Sequence, residues 1–156
     1  MNLKVFKIRE NAKLPKRAHP ADAGMDLFYC FDGEKKLYDC TKAFHIPPKT
    51  SRTIPTGIKV EVPYGHMLEV KNKSGIASKR QLLVGACVVD CGYDGEIFVN
   101  LHNLGHQTQV IKPGDKIAQA VLVPISHCAV EEVKNGEHLN RDSTRGTGGF
   151  GSTGDR

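Results

Sequence analysis

The chain has no tryptophan and only ten other aromatic rings, six phenylalanines and four tyrosines, in 156 residues. That weighs against a stacking platform for single-stranded nucleic acid, which needs ring faces at close intervals. It has no run of about eighteen apolar residues, so no membrane-spanning helix is expected. The first eight residues alternate apolar and charged side chains without an apolar h-region, so no secretory signal is expected and a cytoplasmic location is the default. The five cysteines form no C-x-x-C pair, and the seven histidines lack zinc-ligand spacing. Reduced structural thiols are expected rather than a metal site or a disulfide framework. Helical periodicity is nearly absent, and there is no internal repeat.

What is present is an ordinary globular composition, 39% apolar and 25% charged, in a chain long enough for one domain with a real core. The formal net charge of +5 suits a polyanionic ligand and suits a merely basic surface equally well. Strand periodicity recurs. Ile58, Val60 and Val62 alternate with Lys59 and Glu61; Ile97, Val99 and Leu101 alternate with Phe98, Asn100 and His102; Val121 and Val123 flank Leu122; a last run covers residues 128–133. Turn signals separate these runs, at Pro47-Pro48, Pro63 to Gly65, Asp94-Gly95 and Pro113-Gly114. Many short strands with frequent turns predict an all-β sandwich or barrel. One short helix is expected from Ile76 to Leu83, capped by Asn72 or Ser74. Residues 135–144 are polar and charged and read as a linker. The expected organisation is a β domain over 1–134 and a linker with a flexible arm over 135–156.

The arm is the most distinctive stretch. Five of the ten residues 145–154 are glycines, which disfavour helix and strand but free backbone N–H groups to wrap an anion. Between them stand Arg145, Phe150, Ser152 and Thr153, the residues that would close over a phosphorylated, ring-bearing ligand. A disordered terminal tail is the alternative. Four upstream segments carry similar chemistry. Residues 23–27 place Asp26 after a turn glycine and methionine. Residues 71–77 place Lys73, Ser74 and Gly75 at a strand-to-helix junction, where N–H groups are free to meet an anion. Residues 88–97 bury Val88 and Val89 and then turn sharply, projecting Asp90 and Tyr93. Residues 113–119 lead through a turn to Gln119. Taken singly, Asp26 and Asp115 read equally as turn residues, Lys73 as a solvated charge and Tyr93 as core. For Asp115 the plain turn role is preferred.

In this order and at these spacings the five segments resemble the five motifs of the trimeric deoxyuridine triphosphatase (dUTPase) family, over residues 21–154. The resemblance implies a jelly-roll-like distorted β-barrel and hydrolysis of dUTP to dUMP and pyrophosphate with Mg²⁺. It implies a homotrimer in which the arm completes a neighbour's site. By position, Asp90 matches the carboxylate that activates water for attack on the α-phosphorus. Tyr93 matches the ring under the deoxyribose, and Asp26 the aspartate that holds a water of the magnesium shell. Lys73, Ser74, Gly75 and Gln119 match phosphate-binding positions. Arg145, Ser152 and Thr153 match the arm's γ-phosphate contacts, and Phe150 the aromatic that caps uracil, with Gly151 counted beside it. Backbone near residues 85–89, including Val88 and Val89, would read the uracil edge. A triphosphate carries about four negative charges, which call for cations, N–H groups and a hard, oxygen-preferring metal.

The chain departs from the family pattern at four places. Lys73 and Lys116 stand where arginines are usual, which keeps charge but loses the planar fork. Cys87 replaces a common glycine; its side chain is expected to turn into the core. Residues 30–50 look longer than their counterpart and are expected to form a surface loop. Two other functions compete. dCTP deaminases of the same superfamily use a glutamate at the position of Asn100, which argues against deamination. A nucleotide-sensing, protein-binding module on the same fold is the second, since fold does not fix function.

Overall fold

A computed structural model describes residues 2–31, 33, 43–134, 143–149 and 152. The chain divides into two compact units, residues 1–126 and 127–156. Among the described residues the first holds eleven strands and one helix. The strands are β1 Lys4–Lys7, β2 Met25–Phe28, β3 Phe44–Ile46, β4 Ser51–Pro55, β5 Ile58–Glu61 and β6 His66–Lys71. After helix α1, Ser74–Arg80, come β7 Leu82–Val84, β8 Val88–Val89, β9 Phe98–Asn103, β10 Gln109–Ile111 and β11 Lys116–Pro124.

All pairings are antiparallel. They build four sheets, ordered β1-β5, β10-β3, β2-β11-β6-β8 and β4-β9-β7. These wrap one core without closing into a single ladder: the all-β architecture that the strand pattern predicts, in the distorted jelly-roll form that the family resemblance implies. Alternation does the sorting. Val99, Leu101 and Asn103 of β9 face inward while Phe98 and His102 face solvent. Ile58 and Val60 of β5 do the same against Glu61. Ile54, Leu82, Leu101, Ile111 and Ile117 are wholly buried, each worth about 1.5–3 kcal/mol when taken from water. Asn103, also wholly buried, is satisfied because its amide donates to the carbonyls of Ile46 and Gln107, both at 2.8 Å.

The helix is shorter than its helix-forming residues predict. It stops at Arg80, and Gln81 takes a left-handed conformation (φ 53°), with its N–H bonded to the carbonyl of Ile76. Leu82 then enters the core opposite Asn103, so tertiary burial claims Leu82 and Leu83 for a strand. Neither expected cap is used. Lys73 occupies the N-cap position with no side-chain capping bond, and the Asn72 amide oxygen accepts from Val84 N–H instead, at 2.7 Å.

Two further expectations need correction. Residues 128–133 form no strand: they are exposed, Val130 almost completely. A strand needs a ladder as well as β-branched residues, and no pairing of this run occurs among the described residues. Residues 30–50 are not simply a surface loop. Cys30, Ala43 and Ile46 are buried, and β3 pairs with β10; residues 32 and 34–42 lie outside the described set. Within the second unit, Arg145 sits in a turn and donates from Nε to the carbonyl of Gly148 at 2.8 Å. No helix among the described residues is long and apolar enough to cross a membrane.

Candidate functional site

Asp26 lies in β2 with Gln119 of β11 directly opposite, and Gln119 in turn pairs with Lys71 of β6. A register shift between Lys116 and Ala118 re-aims Lys116 toward the same place. The Asp26 carboxylate is 4% exposed and lies between two ammonium groups. Oδ1 pairs with Lys73 Nζ in a very short contact, and Oδ2 with Lys116 Nζ at 2.6 Å. Burial pushes the carboxyl up, but hydrogen bonds and charge from Lys116 and Lys73 outweigh it and hold Asp26 below the ordinary aspartate range. Gln119 Nε2 donates to the carbonyl of Asn72 at 2.9 Å. Its amide lies so close to Gly24 that a Cβ there would sit 2.0 Å from Oε1. Gly24 is therefore required for close approach rather than for its turn alone. The structure thus brings Asp26, Lys73 and Gln119 into one cluster. Ser74 and Gly75 are exposed on the first turn of α1 beside it.

Asp90 and Tyr93 belong to a second cluster, beyond the β8 edge of the same sheet. β8 pairs with β6 through Leu68–Val89 and Glu69–Val88, and the carbonyl of Cys87 accepts from Val70 N–H at 2.7 Å. The chain then turns, with Tyr93 N–H bonded to the Asp90 carbonyl and Gly92 at φ 90°. A cavity of about 180 Å³ opens here, lined by Val70, residues 86–90, Tyr93 and residues 96–98. Tyr93 is half exposed, and its hydroxyl donates to the carbonyl of Glu96 at 3.0 Å. Its ring covers Gly95, where a Cβ would meet the hydroxyl at 2.2 Å. Asp90 is exposed, and its carboxylate has no hydrogen-bond or ion-pair partner among the described residues. Val88 is exposed and Val89 half-buried, so this strand does not bury its valines as expected; as an edge strand it turns them to the cavity. Cys87 is exposed too and lines the cavity rather than entering the core. Its backbone is still tied to β6 through Val70, but at the sheet edge no further strand among the described residues covers the side chain.

The remaining expectations fall as follows. Arg145 and Ser152 are described within the second unit, while Phe150, Gly151 and Thr153 lie outside the described residues. Asp115 is a turn residue, its Oδ2 accepting from Lys112 N–H at 2.9 Å. Asn100 offers no carboxylate to a deaminase; its amide donates to Thr53 Oγ1 at 3.3 Å. The sequence marked Lys116 only as a lysine at a usual arginine position of the fourth motif and gave Asn72 no place in the site; Arg9 and Glu96 were missed entirely. Lys116 is ninety residues from Asp26, and no local spacing could have joined them. Asn72 carried a polar signal that was read as a cap.

Among the described residues no group of three His, Cys, Asp or Glu side chains could hold a metal unaided. The donor set instead fits a hard cation carried on phosphate oxygens and waters, with Asp26 the nearby carboxylate. Cations at one end of a sheet and an unpartnered carboxylate beside a small cavity at its edge are groups of the kind that phosphate-ester chemistry calls for.

The family model for dUTPase matches residues 10–154, and the chain belongs to that family. It is 43% identical over 156 residues to the deoxyuridine 5'-triphosphate nucleotidohydrolase of Gloeothece citriformis, covering 99% of this chain and 97% of that one. The enzyme of the same name from Clostridium tetani is 40% identical over 154 residues, covering 97% and 96%. Among solved structures, a mutant dUTPase of Staphylococcus bacteriophage 80alpha with dUpNHpp superposes with a TM-score of 0.77 at 26% identity, covering 98% of each chain. A mutant dUTPase from phage phi11 of S. aureus, whose structure shows a coordinated structural Mg(II) ion, gives 0.74 at 26% identity, covering 88% of this chain and 99% of that one.

Proposed function

We propose that this protein is a Mg²⁺-dependent dUTP diphosphatase, working in the cytoplasm as a homotrimer with shared active sites. Its reaction would limit uracil incorporation into DNA and supply dUMP for dTTP synthesis. The observation that carries the reading is the unpartnered Asp90 carboxylate at a cavity walled by Tyr93, Val88 and Val89. A general base must be free to accept a proton, and Asp90 is. Water attacks the α-phosphorus, its proton passes to Asp90, the bond to the β-phosphate oxygen breaks and pyrophosphate leaves. Backbone groups of residues 85–89 read the uracil edge. The Tyr93 ring packs under the deoxyribose and leaves a 2′-hydroxyl without a partner.

Lys73, Ser74, Gly75 and Gln119 would bind the phosphates, with Arg145, Ser152 and Thr153 from the arm and Phe150 beside Gly151 over the base. Asp26 would hold Mg²⁺ through water, and the metal, when bound with the triphosphate, would supply charge neutralisation on the phosphates. Lys73 and Lys116, which pair with Asp26, would also take up the incoming phosphates, which would free an Asp26 oxygen to accept a hydrogen bond. One feature supports shared sites: the two clusters sit at different positions on one sheet. The test is a panel of dUTP, dCTP, dTTP and UTP with Mg²⁺, read by pyrophosphate and ammonia release. The expected result is pyrophosphate from dUTP at a kcat/KM at least about a hundredfold above the others, because a mispaired buried edge costs that much or more. Equal rates for dUTP and dCTP, or ammonia from dCTP, would remove the reading.

A further inference from the structure

Tyr93 is held by Glu96, and Glu96 is held by a residue that no motif contains. The Glu96 carbonyl accepts the Tyr93 hydroxyl at 3.0 Å. Its carboxylate takes both arms of the Arg9 guanidinium, with NH1 to Oε2 at 3.1 Å and NH2 in a closer contact with Oε1. Oε1 also accepts Gly57 N–H at 2.6 Å. Gly57, at φ 73°, is the turn between β4 and β5, and its carbonyl accepts Ile8 N–H at 2.8 Å. One glutamate therefore joins the 90–97 turn, the β4–β5 turn and the segment after β1. Among the described residues the outer side of the turn has only Asp94 with Lys59 at 2.8 Å, and Asp94 is almost fully exposed. An exposed pair of that kind fixes little. A broader groove of about 530 Å³ lies on that side, lined in part by Phe6, Val62, Gly92 and Tyr93. Tyr93 is thus a wall between two depressions, anchored from within.

The Arg9–Glu96 pair is a poor choice for stability alone. Both side chains are more than four-fifths buried, and Arg9 Nε is buried without a hydrogen-bond partner among the described residues. Well-packed apolar residues in place of such a pair often cost nothing. What they would not supply is a forked set of hydrogen bonds with fixed direction. We propose that Arg9 and Glu96 are positioning residues for the Tyr93 wall, and that they set the discrimination between deoxyribose and ribose triphosphates. This inference rests on the diphosphatase reading.

Glu96→Gln keeps an acceptor for Gly57 but turns an amide toward Arg9 and strands its charge. It is expected to raise KM for dUTP and to lower the dUTP-to-UTP ratio of kcat/KM about tenfold, with kcat for dUTP within about threefold of the parent; small misplacements of a positioning group have effects of this size. Asp94→Asn should leave the ratio unchanged. Arg9→Met combined with Glu96→Gln removes the stranded charge, so the thermal midpoint should recover while selectivity stays lost. Recovery of both together, or an unchanged ratio in folded Glu96→Gln, would overturn the proposal. If the parent protein releases no pyrophosphate from dUTP, it is the diphosphatase reading that has failed. Hydrogen exchange over residues 90–97 then still tests the anchor: faster exchange in Glu96→Gln supports it, and unchanged exchange refutes it.

Discussion

Asp26 and Asp90 have the same side chain in opposite surroundings. Asp26 is buried between two ammonium groups that hold its carboxyl below the ordinary range. Asp90 stands exposed at a cavity rim with no partner among the described residues. A carboxylate stabilised as an anion by two cations is a weak proton acceptor and a strong structural tie. One without partners is a weak tie and is free to take a proton from water. On the proposed reading, the contrast is between the aspartate that would organise the site and the aspartate that would react in it.

The sharpest way to break that contrast is Asp90→Asn. Turnover should fall about a hundredfold or more, with nucleotide still bound and the thermal midpoint unchanged. Mixed with a chain truncated before Arg145, the variant should regain part of its activity, because some trimers then hold a site with one intact copy of each element. Pyrophosphate release checks the first claim, and titration of the two chains against each other checks the second; absence of rescue would assign the arm to its own subunit.

Asp26→Asn should act the other way round, on stability first. It leaves Lys73 and Lys116 facing each other, and the loss is about 1–3 kcal/mol, or roughly 3–10 °C in the thermal midpoint. The sign with pH follows from the lowered carboxyl. Its stabilisation is complete above the unfolded value of roughly 4 and is lost as pH falls through the lower folded value. The gap between parent and variant should therefore be widest near neutrality and close below about pH 4 in calorimetric scans. A gap that persisted in acid would mean that packing, not charge, holds Asp26.

The smallest effect is expected from Lys73→Arg. The fork restores bidentate phosphate contact, so KM should fall by no more than about threefold while the midpoint stays within a degree or two. A larger gain would show that Lys73 is a weak point of the phosphate grip rather than a sufficient substitute.

The sequence made the strand pattern legible because alternation is local: β5 and β9 can be read from a few residues each. The same holds for Asp90, Tyr93 and Asp26, whose neighbours in sequence form dense motifs. The errors have a common physical cause. Leu82 and Leu83 look helical until their burial against β9 is known. Residues 128–133 look like a strand until a ladder partner is sought. Cys87 looks buried until its edge position is seen. Lys116, Arg9 and Glu96 join the site through partners 39 to 90 residues away. No local period can report such contacts, since they depend on which strands become neighbours.

β1 carries a different lesson. It pairs only with β5 among the described residues, so its other edge carries free backbone donors and acceptors. Such an edge is a template on which another chain can grow a sheet. Its four residues begin and end with lysine. Lysines at both ends of an exposed edge discourage its pairing with another chain. Replacing those two lysines with valine would remove that protection and ease edge-to-edge association.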